Sequence, residues 1–311
     1  MKDRSRPILR TALIGAAAVG ALVLSACGSS SSDTSSSTSS AAGSSAPGSS
    51  AAGAPTSISG ATAGTTIEDA DITAAKAALI GSGAITTCTH LPYAPFQSND
   101  DEGKTIGFDV DIVDLVAAKL GVEQAIVDTP FEGIKSGQDL STGKCDIAAA
   151  GMTITDERKQ VILFSEPYFD ATQALLVRDG DGITSLADLK GKKLGAQSST
   201  TGLDYATKEA AANGYEIVEY QDLASQQQAL VTNQVDGAIN DLPVWSEFVK
   251  EQPGKTVIAA QFDTGEQYGL GMKLGNEALK KVVDAAISEA MANGTYSDIY
   301  AKWIGETPSA G

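Results

Sequence analysis

From Gly28 to Thr65 every residue is Gly, Ser, Thr, Ala or Pro, apart from Asp33 and Ile58. A stretch of that composition cannot bury enough apolar surface to offset the entropy lost on ordering. It reads as a flexible tether with an r.m.s. span of roughly 30–37 Å. This feature splits the 311-residue chain into a short N-terminal segment and a body that begins near residue 66. In the body, residues 84–89 (AITTCT) predict a strand. Residues 109–120 predict a helix, with Val110, Val113, Val116 and Leu120 at helical spacing and Gly121 to end it. A strand at 124–128, a helix near 131–142 and a strand at 146–150 follow. This βαβαβ order predicts a parallel sheet covered on both faces. A second series runs through strand 193–196, helix 200–213, strand 215–219, helix 223–233 and strand 236–240. Strand 267–273 and helices 276–292 and 295–303 close the chain. Two such series predict an α/β protein of two lobes.

The segment ahead of the tether has the layout of an export signal. Lys2, Arg4, Arg6 and Arg10 form a positive start, and an apolar run from Ala12 to Leu24 follows. The run is short for a membrane span, which needs ~20 apolar residues. It ends in Leu24-Ser25-Ala26-Cys27-Gly28, which resembles a bacterial lipobox. The expectation is a signal peptide over 1–26 and a lipidated Cys27 that opens the 27–65 tether. Stable anchoring takes more than one acyl chain. Losing Lys2, Asp3, Arg4, Arg6 and Arg10 takes the net charge from −17 to about −20.

That charge, 22 Lys+Arg against 39 Asp+Glu, argues against nucleic acid as a partner, because phosphate binding needs a basic face. The lone histidine, His90, restricts triads and zinc sites to whatever could be built around it. Gly137 to Lys144 loosely suggests a phosphate loop but has five residues between its glycines and Cys145 in place of Ser or Thr. Three cysteines do not make a disulfide framework. Cys88 falls late in one predicted strand and Cys145 at the start of another. In adjacent parallel strands they would be several residues out of level, so two free, buried thiols are expected.

A series of short motifs is more specific. Tyr93-Ala94-Pro95-Phe96 precedes Gly107-Phe108-Asp109-Val110-Asp111. Gly143-Lys144-Cys145-Asp146-Ile147 and Gly151-Met152-Thr153-Ile154-Thr155-Asp156-Glu157-Arg158 come next, then Phe164-Ser165-Glu166-Pro167-Tyr168. Leu186 to Lys193, Asp236 to Asp241 and a tail from Asn293 to Trp303 complete the set. In order and spacing, over about residues 80–305, these resemble the solute-binding proteins of ABC importers for polar amino acids. The resemblance implies a two-lobed periplasmic-binding-protein-like fold of type II with two hinge strands. Lobe 1 would comprise 66–169 plus 268–311 and lobe 2 would comprise 173–262, with hinges near 170–172 and 263–267. It further implies a monomer without metal or cofactor that does no chemistry. Held at the outer face of the membrane by its lipid, it would capture a free amino acid by hinge closure and deliver it to an ABC permease. Exported dehydratases and sensory ligand-binding modules share the fold and are the competing readings.

The same resemblance assigns roles within the cleft. Arg158 would grip the ligand carboxylate with its planar fork, helped by Thr153 and by Thr200 at a helix start. Asp241 and the Gly151 carbonyl would take the ammonium. Tyr93 and Phe131 would sandwich the side chain, with His90, Gln197 and Glu132 tuning specificity. Asp241 before Leu242-Pro243 also fits a helix N-cap, as does Thr200, and capping is compatible with binding. Many family members carry Asp where this chain has His90. The imidazole removes the carboxylate that would attract a cationic side chain, which shifts the expected ligand toward a polar neutral amino acid such as glutamine.

Overall fold

The computed structural model describes residues 67–305. The signal peptide, Cys27 and the tether therefore lie outside the described residues. Helix α1 spans Asp69–Ala77 and is followed by β1 (Ala84–Thr89), β2 (Ser98–Asn99) and β3 (Thr105–Ile106). Next come α2 (Phe108–Leu120), β4 (Glu123–Asp128), α3 (Phe131–Lys135), α4 (Gln138–Ser141), β5 (Ile147–Ala148) and β6 (Ile162–Phe164). Strand β7 (Phe169–Arg178) leads to β8 (Lys193–Gln197), α5 (Thr201–Asn213), β9 (Glu216–Tyr220), α6 (Leu223–Val231) and β10 (Gly237–Asp241). The chain returns through α7 (Leu242–Glu251), β11 (Thr256–Tyr268) and β12 (Gly271–Lys273) to α8 (Glu277–Asn293) and α9 (Thr295–Trp303).

Two five-stranded sheets result, ordered β4-β1-β5-β12-β6 and β11-β7-β10-β8-β9. Each has the parallel centre that the βαβ pattern predicts: β1 pairs with β4 and β5, and β8 with β9 and β10. The sheets are mixed, however. Strand β12 is antiparallel to β5 and β6, and β7 is antiparallel to β10 and β11. Strands β7 and β11 are long and interrupted, without clean alternation, so periodicity does not reveal them. They carry the chain from one sheet to the other. Their pairing slips between Phe262 and Glu266, where Asp263, Thr264 and Gly265 bulge opposite Thr172. Gly265 has φ +65°, which a side chain rarely tolerates.

Local chemistry sets the helix ends. Gly121 closes α2 in the left-handed region, and Gly137 (φ +70°) splits the expected 131–142 helix into α3 and α4. Thr200 caps α5 by accepting the Leu203 N–H at 3.2 Å. The apolar faces of α1, α2, α8 and α9 cover the first sheet through Ile112, Val116, Leu279 and Val283. The second sheet buries Leu175, Leu189, Leu194 and Ile239 on one side and the fully buried Trp245 on the other.

Cys88 and Cys145 are bonded, with Cα atoms 5.6 Å apart, which overturns the expectation of free thiols. That expectation ran β5 back to residue 146. The strand covers only Ile147–Ala148, so Cys145 sits in the turn before it, outside the strand register. Both sulfurs lie in an apolar cluster with Ile134, Leu140 and Ile162 beneath α3 and α4.

Candidate functional site

The carboxyl ends of the parallel strands of both sheets meet at one cleft, the place where open α/β sheets bind ligands. His90 follows β1, Ala150 and Gly151 follow β5, Thr200 follows β8, and Asn240 and Asp241 end β10; all line the cleft. Tyr93, Phe131, Thr153, Arg158 and Gln197 line it as well. Glu132 does not, but its carboxylate accepts a hydrogen bond from the Ser199 hydroxyl on the opposite lobe.

Arg158 is 6 % exposed at the start of a short 3-10 turn. Its Nη1 donates to the Thr153 carbonyl at 2.7 Å and its Nη2 to the Ser199 carbonyl at 3.2 Å. The guanidinium lies 5.4 Å from the Phe131 ring centroid. Burial pulls its pKa down, and the carboxylates of Glu266, Asp204 and Asp241 oppose that. A guanidinium has five N–H donors, so donors remain beyond these two bonds for an incoming carboxylate. Ser199, with φ +70°, turns its carbonyl toward this cation.

Asp241 takes the N-cap position of α7 without making a cap bond. Its carboxylate instead accepts from Tyr93 Oη at 2.6 Å, from Tyr268 Oη and from Gln173 Nε2. Burial, reinforced by the nearby Glu266 charge, pushes its pKa up to about 6, while the bonds from Tyr268, Tyr93 and Gln173 pull the other way. Asp241 is thus a buried carboxylate with three neutral donors and no direct cation partner among the described residues, an arrangement that can bond an ammonium group.

Gly151 (φ +54°) allows the Tyr93 ring to approach, since a Cβ there would come within 2.9 Å of Tyr93 Cε1. Its N–H donates to Asp109 Oδ2 at 2.7 Å, and Tyr168 Oη donates to Oδ1 at 2.6 Å. Asp109 is also pushed up to about 6 by burial. The second half of the Gly107–Asp111 motif thus anchors the cleft wall without lining it.

Thr200 and Thr153 have hydroxyls already in use. Thr200 Oγ1 donates to the Gln197 carbonyl at 2.7 Å while capping α5. Thr153 Oγ1 donates to Glu266 Oε2 at 2.8 Å, and Thr201 Oγ1 does the same. The backbone N–H groups at the start of α5, beside Thr201 and Gly202, can bond an anion on that side.

Sequence reasoning missed Gln97, Gly202 and Asn240 in the lining and Gln173, Glu266 and Tyr268 behind it. Asn240 lies inside the Asp236–Asp241 motif, which is the signal that points to it. Gln173, Glu266 and Tyr268 sit on β7 and β11, and no local spacing ties them to Asp241 or Thr153.

Comparison with known proteins places the chain among solute-binding proteins. A probable histidine-binding protein of Neisseria gonorrhoeae is 31 % identical over 219 residues, covering 70 % of this chain and 81 % of that protein. The ABC transporter glutamine-binding protein GlnH of Bacillus subtilis strain 168 is 34 % identical over 217 residues, covering 68 % of this chain and 77 % of that protein. Among solved structures, an ancestral arginine-binding protein bound to arginine matches with a TM-score of 0.68 at 38 % identity, covering 72 % of this chain and 99 % of that one. The family described as bacterial extracellular solute-binding proteins, family 3, matches over residues 85–306, and the chain belongs to that family.

Proposed function

We propose that this protein captures a free amino acid, a polar neutral one such as glutamine, and delivers it to an ABC permease from a lipid anchor on Cys27. The observation that carries this reading is the pairing of a buried cation, Arg158, with a buried anion, Asp241, across one cleft. That is the charge pattern of a zwitterion turned inside out. Arg158 and the N-terminus of α5 take the carboxylate. Asp241 and the Gly151 carbonyl take the ammonium. Tyr93 and Phe131 enclose the side chain and exclude water, which strengthens both charge contacts.

Closure brings the two lobes onto the ligand. The pairing slip between β7 and β11 at Thr172 and at 263–265 is where we place the bend. Direct bonds between the lobes, Tyr93 to Asp241 and Asn240 and Arg158 to Ser199, support a closed arrangement of this kind.

Ligand should stabilise the fold by RT ln(1 + [L]/Kd), about 2.7 kcal/mol at a hundred times Kd. For a body of this size that is about 5–10 °C in melting temperature. Thermal melts against the twenty amino acids test it, and a shift with none of them overturns the reading. Wild-type protein retained in membranes and a Cys27→Ser variant released from them would support the anchor.

The pH dependence has a defined sign. An ammonium binds ionised Asp241, whose pKa lies at about 6 in the structure. Affinity is therefore flat above that pH and falls up to tenfold per unit below it, as a proton must be displaced. Asp241→Asn should bind weakly and lose this slope in calorimetric titrations from pH 7.5 to 5. Stability without ligand has the opposite sign. A carboxylate raised above its ordinary range contributes stability that is present below that range and lost as pH rises through about 6. Asp109 follows the same rule for stability, but it does not line the cleft and should not move affinity.

A further inference from the structure

Resting on the reading above, one end of the cleft further restricts the side chain of the bound amino acid. His90 Nδ1 lies 3.0 Å from the carbonyl oxygen of Thr129. A carbonyl only accepts, so Nδ1 carries the proton of that bond. In a neutral imidazole the other nitrogen is then an acceptor. That atom, Nε2, is buried and has no partner among the described residues, while the ring lines the cleft. Two more acceptors share the situation. Gln97 is 1 % exposed; its Nε2 donates to the His90 carbonyl at 3.4 Å, which orients the amide and leaves Oε1 buried and unpartnered. Gln197 is 2 % exposed and its Oε1 is likewise buried without a partner. Both line the cleft.

Buried polar atoms are normally hydrogen-bonded, and an acceptor left bare is a standing penalty. All three residues line one cleft, and hydrogen bonds to backbone carbonyls hold the His90 ring and the Gln97 amide in place. Such a set is satisfied by N–H donors and by nothing that only accepts. We propose that His90, as the Nδ1–H tautomer, together with Gln97 and Gln197, selects a neutral amino acid whose side chain ends in the N–H donors of a terminal amide, and rejects the carboxylate that is its isostere. Glutamine and glutamate differ at one atom in this respect. The Asp128 carboxylate, 4.0 Å from His90 Nδ1, and Glu132 at the rim both disfavour a second negative side chain. A site built to bond a donor rejects the analogue lacking it by several orders of magnitude.

Two measurements on the full mature chain test this. His90 is the only histidine, so two-bond 15N–1H correlation spectra report its state without assignment. The expected result is a neutral Nδ1–H ring whose Nε2 resonance moves when glutamine is added. An imidazolium, or a ring protonated at Nε2, overturns the proposal. Calorimetric titration should then give a Kd for glutamate at least about a hundredfold above that for glutamine. His90→Phe keeps the ring volume and removes the acceptor, and should reduce that ratio by about tenfold or more. Gln97→Leu should act in the same direction and serves if His90→Phe does not fold. Glutamate bound as tightly as glutamine, or a ratio unchanged in the variants, overturns the acceptor set while amino-acid binding itself stands. No binding of any amino acid overturns the underlying reading, and the acceptor set with it.

Discussion

Arg158→Ala is expected to weaken amino-acid binding by two to three orders of magnitude while leaving the fold intact. The side chain is nearly fully buried, so its charge acts in a medium that screens poorly. Removing one partner of a buried, hydrogen-bonded charge pair costs about 3–5 kcal/mol, much of it from stranding the other charge. Here the stranded group is the ligand carboxylate, and it can stay in water instead, so the loss appears as affinity. The Arg158 guanidinium bonds the backbone carbonyls of Thr153 and Ser199, and its own N–H donates to Thr155 Oγ1 at 3.1 Å. That last bond survives the substitution, so the local turn should persist and circular dichroism should be unchanged. Arg158→Lys separates charge from geometry. It keeps the cation but cannot bond two oxygens in parallel, and should fall between wild type and Arg158→Ala. A drop of less than tenfold for Arg158→Ala would remove this residue from the carboxylate site.

The legible part of this protein was local. Strand 84–89 has the bounds expected from the sequence. Helix 109–120 ends as expected, because Gly121 stops it in the left-handed region, and begins one residue earlier at Phe108. Cleft residues such as Arg158 and Asp241 could be named because they fall inside the contiguous motifs that carry the family resemblance. What failed depends on distance along the chain. Strands β7 and β11 meet over ladders of pairs far apart in sequence, and neither shows a clean period. The residues they bring to the cleft, Gln173, Glu266 and Tyr268, were invisible for that reason. Asp241 was weighed as a cap, and only the three-dimensional contacts with Tyr93, Tyr268 and Gln173 show its side chain turned from the helix toward the cleft. The cysteine error has the same root. The pairing of Cys88 and Cys145 depends on a turn that leaves the strand register, and a strand drawn too long conceals it.

Reducing the Cys88–Cys145 bond is expected to lower the unfolding free energy by about 4 kcal/mol and the melting temperature by about 10 °C. The two cysteines are 57 residues apart, so the bond removes a large closed-loop entropy from the unfolded chain. The sulfurs are also buried against Ile134, Leu140 and Ile162, so reagents should reach them only as the region opens. The enclosed segment contains β4, α3 and α4 and therefore carries Phe131 and Glu132 to the cleft. In an oxidising compartment outside the cytosol the bond should form on export and hold this wall of the site. The clean comparison is oxidised against reduced and alkylated wild type, with Cys88→Ala/Cys145→Ala as a control that also loses packing. Reduced protein should melt lower and bind ligand more weakly, with the stability effect the larger, because the lobe still forms and only its reference state changes. Oxidised and reduced forms melting within about 2 °C of each other would mean that the loop contributes no entropic stabilisation and that the sulfurs act through packing alone.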